Sequence, residues 1–326
     1  MDLRLTLATG RYDRTQPLLD GRIRPEGVTF QPSVLPPWEL FKRQLDESPF
    51  DVAEFSMAHL AMLGALGDER FTAIPVFTSR AFRHTAVYVN TASGIQTPED
   101  LRGRRVGVPD YTITAAVYVR GFLHHDFGVV PESMVWFWGG LDGPSSEPIR
   151  VPFEPPAGLE LHHIGDDNLN RMLAEGELDA LVSAAVPTPF ANGDERVRRL
   201  FPDYRAREED WYRRTRIQPI MHTVVLRREL VEEDPGLARR IYDAFCAAKA
   251  SAYADLEYLS ALTTALFWLP AELEQERALF GPDHWPYGLG VNRPTLQAML
   301  DYQLEQGLLA RPVSLDELFV SELHDT

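Results

Sequence analysis

Along this chain, short segments of period-two or continuous apolar character alternate with longer segments whose apolar residues recur every three to four positions. Residues 3–8 (LRLTLA) and 27–34 (GVTFQPSV) read as strands, and PPWELFKRQLDES after them as a helix with proline near its start. Residues 50–56 (FDVAEFS) read as a buried strand running into the helix SMAHLAMLGALG, with Ser56 placed to cap it. FTAIPVF and TAVYVN, rich in β-branched and aromatic residues, read as strands on either side of a basic turn.

The same rhythm resumes near residue 91. TPEDLRG predicts a short helix, RRVGVP a strand, and TITAAVYVRGFLHHDFG a helix. Residues 159–163 and ALVSAA predict strands around the helix NLNRMLAEGELD. The proline-rich stretch 140–158 reads as a loop, and 203–216 as a charged segment. MHTVVLRREL predicts a strand returning to the first half, and long helices fill most of 235–310. Strand–helix alternation of this kind predicts parallel βαβ units. Two lobes follow: residues 1–90 with 217–326, and residues 91–216.

Composition narrows the picture. At 326 residues, with 44% hydrophobic and 25% charged residues, the chain can bury a core in each lobe without staples. Its one cysteine, Cys246, cannot close an internal disulfide, so no oxidising compartment is required. The opening Met-Asp-Leu-Arg-Leu-Thr-Leu alternates like a strand rather than like an export leader. No stretch approaches the roughly 18 apolar residues of a membrane span. A cytoplasmic protein without a membrane partner is expected. A net charge of -16 argues against nucleic acid, so an anionic ligand would need a local cluster of donors. The chain carries no P-loop, GxGxxG, HExxH or GxSxG motif, and phosphoryl-transfer, hydride-transfer and hydrolase readings lose support.

The series DLRGRRVGVPDYTITAAVYVRGFL, LNRMLAEGELDALVSA and MHTVVLRRELVEEDPGLARRIYDAF resembles type II periplasmic binding proteins. That resemblance implies two βαβ lobes flanked by helices, with a ligand cleft between them. FDVAEFS, SRAFRHTAVYVN, GVPDYTITAAVYVRG, IQPIMHTVV, WPYGLGVNR and YQLEQGLLARPVSLDELF together resemble the 4,5-dihydroxyphthalate decarboxylase family. This narrower resemblance implies loss of CO2 from a dihydroxylated aromatic dicarboxylate, a small aromatic carboxylate as substrate, and a homo-oligomer. Each substrate carboxylate has a phenol para to it, so the ring supplies its own electron sink. No cofactor and no metal are called for. The competing reading is a non-catalytic aromatic-acid binding protein of a transport system, and a third is a decarboxylase with another ring substitution.

Candidate residues fall at strand ends. Arg80 and Arg83 offer planar forks for carboxylates, against the alternative of a solvated basic turn. His84 beside them could carry a proton. Tyr111, Thr112 and Thr114 stand at a strand-to-helix turn suited to an anion, or simply to capping. Ser56 occupies a similar junction. Glu54 is a possible base there, though such a residue more often serves locally. Arg11 and Tyr12 follow the first strand, where open α/β sheets place ligand loops. His222 lies where the chain crosses between lobes. With the family resemblance, His84 and His222 are the candidate proton carriers, and Arg11, Tyr12, Ser56, Arg80, Arg83, Tyr111, Thr112 and Thr114 the candidate substrate contacts. His59 and His284 are weaker candidates. His124–His125 and His162–His163 have no partner at metal-ligand spacing and are expected in surface or packing roles.

Overall fold

A computed structural model describes residues 2–143 and 151–326. The first sheet begins with β1 (Leu3–Thr9), β2 (Val28–Val34), β3 (Val52–Ser56) and β4 (Phe71–Arg80). Every residue of β3 is buried, as a central strand covered on both faces requires. The second sheet holds β5 (Val87–Asn90), β6 (Arg105–Val108), β7 (Val135–Trp138), β8 (Glu160–His163), β9 (Ala180–Val182) and β10 (Val197–Arg199), in the order β10-β5-β9-β6-β7-β8, so the chain changes sheets before β5 rather than at residue 90. The chain then returns as β11 (Ile220–Arg227), which enters the first sheet between β3 and β4 to give β2-β1-β3-β11-β4.

Both sheets are mixed: the expected parallel pairings are joined by antiparallel strands. β1 runs parallel to β2 and β3, but β11 is antiparallel to both of its neighbours. In the second sheet β5 is antiparallel to β9 and β10, while β6, β7, β8 and β9 are linked by parallel pairings. A chain that crosses from one sheet to the other and back supplies these reversed strands, and periodicity carries no sign of strand direction.

Local chemistry explains most elements. The Met57–Ala65 helix starts where expected, with Ser56 Oγ accepting from the His59 N–H. The Thr114–Phe127 helix ends at Gly128 in the left-handed region, which glycine enters at little cost. The charged segment 203–216 is a helix, Tyr204–Thr215, that buries Trp211 alone among its residues. Ion pairs of i,i+4 spacing line it: Asp203–Arg207, Arg205–Glu209, Glu209–Arg213 and Asp210–Arg214. Each such pair adds about 0.2–0.5 kcal/mol to an isolated helix, so charge patterning supplies what a missing apolar stripe does not. Of the expected loop 140–158, residues 144–150 lie outside the described residues; 151–156 carry no regular secondary structure.

One helix of the C-terminal set, Leu289–Glu305, bridges the two lobes. Its Gln303 Nε2 donates to the Ala58 carbonyl beside the first sheet. Tyr302 packs so tightly on Gly121 of the Thr114–Phe127 helix that a Cβ at position 121 would lie 2.3 Å from its ring. Just beyond the helix end, Gln306 accepts from Arg120 Nε and donates to the Val117 carbonyl.

Candidate active site

The C-terminal end of β3 presents Glu54 and Ser56 on one face, because side chains two apart in a strand point the same way. Glu54 is fully buried. Its Oε2 accepts from the Gly10 N–H at 2.7 Å and the Thr9 hydroxyl at 3.2 Å. Its Oε1 accepts from the Tyr12 hydroxyl at 2.7 Å and lies 2.6 Å from His222 Nδ1. Burial pushes the Glu54 carboxyl upward, but His222, the Gly10 amide and Tyr12 outweigh it and hold the group below its ordinary value. The same burial, with the Glu54 charge beside it, drives the Tyr12 phenol upward, so Tyr12 stays a donor.

His222 lies opposite Ser56 in the β3–β11 pairing, and the register against β4 shifts on both sides of it. A bulge of this kind re-aims a side chain. Phe41 meets the imidazole edge-on, with ring centroids 4.8 Å apart. With Nδ1 committed to an ionised Glu54, the neutral imidazole carries its proton on Nδ1. Nε2 is then left as an acceptor, and it has no hydrogen-bond partner among the described residues. The side chain is 18% exposed, enough for a ligand to reach it.

From the second lobe, β6 ends at Val108 and its turn brings Asp110, Thr112 and Thr114 to the same place. Asp110 accepts from the Thr112 hydroxyl and amide, and Thr112 Oγ1 lies 2.9 Å from Nε2 of the wholly buried His59. Burial lowers the His59 pKa, with Asp110 opposing and His222 reinforcing that shift. Thr114 does not cap its own helix, whose N-cap is Ile113. Instead its Oγ1 accepts from the Ala58 N–H in the other lobe and lies 3.1 Å from Ser56 Oγ. Two helix N-termini therefore abut across the lobes, joined through Ser56 and Thr114.

The structure thus gathers Tyr12, Ser56, Thr112, Thr114 and His222 into one cluster. Arg11 stands on the same loop as Gly10 and Tyr12; it is exposed and has no hydrogen bond or ion pair among the described residues. The others lie elsewhere. Arg80 is buried and spends its guanidinium on the Gln218 and Pro286 carbonyls and on Asn292. Arg83 is half-buried, its Nε directed at Met221 Sδ. His84 stacks flat on Phe122, with ring centroids 4.2 Å apart, and meets Phe201 and Trp211 edge-on. Phe122 is eight residues along the helix from Thr114, roughly 12 Å of rise. Burial pushes His84 down to about 4, with Arg207 and Arg214 adding to the shift. Tyr111 is turned into the second lobe, stacked on Phe153 with the Arg120 guanidinium 3.8 Å above its ring centroid. Of the residues gathered here, sequence pattern offered Glu54 as a local group and His59 as a weak candidate, and did not single out Asp110. The available signal was position: each lies within three residues of the end of a strand in this pair of lobes.

Two α/β lobes whose strand-end turns and helix N-termini converge on a polar cluster define a protein of the type II periplasmic-binding-protein fold. Solved structures agree. The periplasmic aliphatic sulphonate binding protein SsuA from Escherichia coli covers both chains completely, with a TM-score of 0.57 at 14% identity. A putative periplasmic sulfonate-binding SsuA from Methylobacillus flagellatus gives 0.58 at 12%, covering 99% of this chain and 92% of its own. No family profile matches the chain. Among curated proteins, the 4,5-dihydroxyphthalate decarboxylase of Comamonas testosteroni is 35% identical over 97% of this chain and 96% of its own length. That of Pseudomonas putida is 36% identical over 65% of this chain and 82% of its own. The chain belongs to the 4,5-dihydroxyphthalate decarboxylase family, and its relatives are enzymes. No described helix is long and apolar enough to cross a membrane.

Proposed function

We propose that this chain removes one carboxylate of 4,5-dihydroxyphthalate as CO2, yielding 3,4-dihydroxybenzoate, with His222 as the proton carrier. The relatives of that name support the reaction. The observation that carries the assignment of roles is the Glu54–His222 pair: a buried carboxylate orients an imidazole whose far nitrogen is open to a ligand.

In the proposed reaction, the phenol para to a carboxylate gives its proton to solvent, and the phenolate sends electron density to the carbon bearing that carboxylate. A proton from the His222 imidazolium Nε2 forms the new C–H bond there. The bond to the carboxylate then breaks, its electron pair returns to the ring, and CO2 departs. Solvent restores the proton to His222. Glu54 stabilises the imidazolium through Nδ1, as a carboxylate does beside any histidine that cycles through its charged form. Arg11 supplies a guanidinium for a substrate carboxylate, and Tyr12, tied to Glu54, fixes the loop that carries it. The family assignment and a lone free thiol, Cys246, also support a cytoplasmic location; cell fractionation would check it.

The test is to incubate purified protein with 4,5-dihydroxyphthalate and follow CO2 and 3,4-dihydroxybenzoate chromatographically. Many turnovers per protein are expected. Stoichiometric binding with the ligand recovered intact would refute the proposal and leave a receptor for aromatic acids.

A further inference from the structure

The adjacent histidines His124 and His125, which lack a metal-ligand partner nearby in sequence, gain one from 180 residues away. Glu305, the last residue of the Leu289–Glu305 helix, places its Oε2 at 2.7 Å from His125 Nε2 and 3.7 Å from His124 Nδ1. One ligand atom from each residue can be chosen so that all three lie within 4.8 Å of one another. We propose that His124, His125 and Glu305 form a binding site for a borderline divalent transition-metal ion, Zn2+ in the first instance, joining the ends of the two helices.

The donor set suits that class of ion. Two imidazoles and one carboxylate favour zinc, nickel or copper over magnesium or calcium, which take oxygen ligands. Tetrahedral zinc, with bonds of about 2.0–2.2 Å, sets its ligand atoms roughly 3.3–3.5 Å apart. The 2.7 Å contact must therefore open slightly and the 3.7 Å contact close slightly. The three side chains are 41–45% exposed, so these adjustments meet little packing. Water would complete the coordination.

The backbone beneath is fixed and the local field is favourable. Gly121 against Tyr302 sets the crossing of the two helices, and Gln306 bonds both Arg120 and the Val117 carbonyl. The His125 ring rests 5.0 Å from that of Tyr302. Both histidines lie in the last turn of the Thr114–Phe127 helix, and Glu305 ends its partner helix, so two negative helix ends point at the site. Asp126 and Asp301 add negative charge near Tyr302. Arg214, 3.5 Å from Asp126, is the opposing charge.

The test uses the full chain without an affinity tag, stripped with chelator and titrated calorimetrically with ZnCl2 at pH 7.5 in a non-coordinating buffer. One equivalent is expected to bind at micromolar or tighter affinity, with Mg2+ giving no heat. His125→Ala and Glu305→Gln should each weaken binding at least about tenfold. Affinity should fall as pH drops to 5.5, because ligand histidines must be deprotonated. Thermal melting gives a second readout: Zn2+ should raise the Tm of the parent and not of His124→Ala/His125→Ala, whose unliganded Tm reports on folding. No binding below about 100 μM, or binding indifferent to these substitutions, would overturn the site. Decarboxylase activity is not the readout, so the result stands independently of the proposed reaction.

Discussion

Replacing Glu54 with glutamine probes the proton carrier with almost no change of shape. The carboxylate receives donors on both oxygens: Gly10 N–H and the Thr9 hydroxyl on Oε2, the Tyr12 hydroxyl and His222 Nδ1 on Oε1. A glutamine offers one oxygen and one NH2. The Gly10 amide cannot reverse its role, so the oxygen must stay there and the NH2 must face His222 and Tyr12. Tyr12 can rotate its hydrogen away. His222 can meet the NH2 only by accepting at Nδ1, which moves its proton to Nε2. The imidazolium needs N–H on both nitrogens, and the NH2 now opposes it. Proton transfer through Nε2 in either direction passes through that species. Glu54→Gln should therefore lower kcat by about 10²–10⁴-fold, the span that positioned proton transfer contributes. Substrate affinity should change far less, since Arg11 and the Ser56–Thr114 contact are untouched. Exchanging charged for neutral hydrogen bonds should also cost about 1–3 kcal/mol of stability, so assays belong well below the variant's Tm. Single-turnover formation of 3,4-dihydroxybenzoate, with binding measured separately, makes the distinction. A kcat within about threefold of the parent would refute the argument. His222→Gln should reach a similar floor, and the double variant should fall little further, because the pair acts as one unit.

Three further outcomes follow from the geometry. Arg11→Ala should raise KM about tenfold while changing kcat by less than about threefold, as expected when a charged contact to a distal carboxylate is lost; steady-state kinetics decides it. Thr114→Val removes the acceptor for the Ala58 N–H and should cost about 0.5–2 kcal/mol by denaturant unfolding, with Thr114→Ser recovering most of it. Burial pushes Glu208 up from 4.5 to about 7, its hydrogen bonds from the His84 and Thr85 amides only partly opposing. The folded chain thus holds that proton more tightly than the unfolded one, and stability from this group is present at low pH and lost as pH rises from about 4.5 through 7. Glu208→Gln should therefore raise the Tm at pH 8 relative to the parent, with the gain shrinking towards pH 5.

Sequence pattern foretold the elements that build the cleft, because their signals are local. An apolar run ending in Ser56 before a helical period, and a Gly-Val-Pro strand before a threonine-rich turn, need only neighbouring residues to be read. The Tyr204–Thr215 helix escaped because its support is charge spacing rather than an apolar face. β7, Val-Trp-Phe-Trp, and β10 are only four and three residues long, which leaves little pattern to read. At the site, His222 and Tyr12 were legible as residue types at strand ends. Glu54 was readable only as a local group, since nothing in FDVAEFS shows that four donors from two other segments converge on it. Arg80 shows the opposite case. A guanidinium beside a strand end suggests a carboxylate, but this one turns inward to backbone carbonyls that fold there from residues 218 and 286.

The Leu289–Glu305 helix also bears on how the molecule moves. Two lobes joined only by crossing strands can swing apart as rigid bodies about those strands, the motion that lets a receptor report ligand capture. Here a strut spans the joint, gripping Ala58 through Gln303 on one side and Gly121 through Tyr302 on the other. Wide parting has to unseat that strut and also break the Thr114 contact to Ala58. The cleft is therefore braced, and the loop after β1 is pinned as well, through Gly10 and Tyr12 to Glu54, with the Arg11 side chain left exposed. Substrate exchange would then rest on exposed side chains such as Arg11 rather than on the swing of half the molecule, leaving the spacing between His222 and the opposite lobe constant from one turnover to the next.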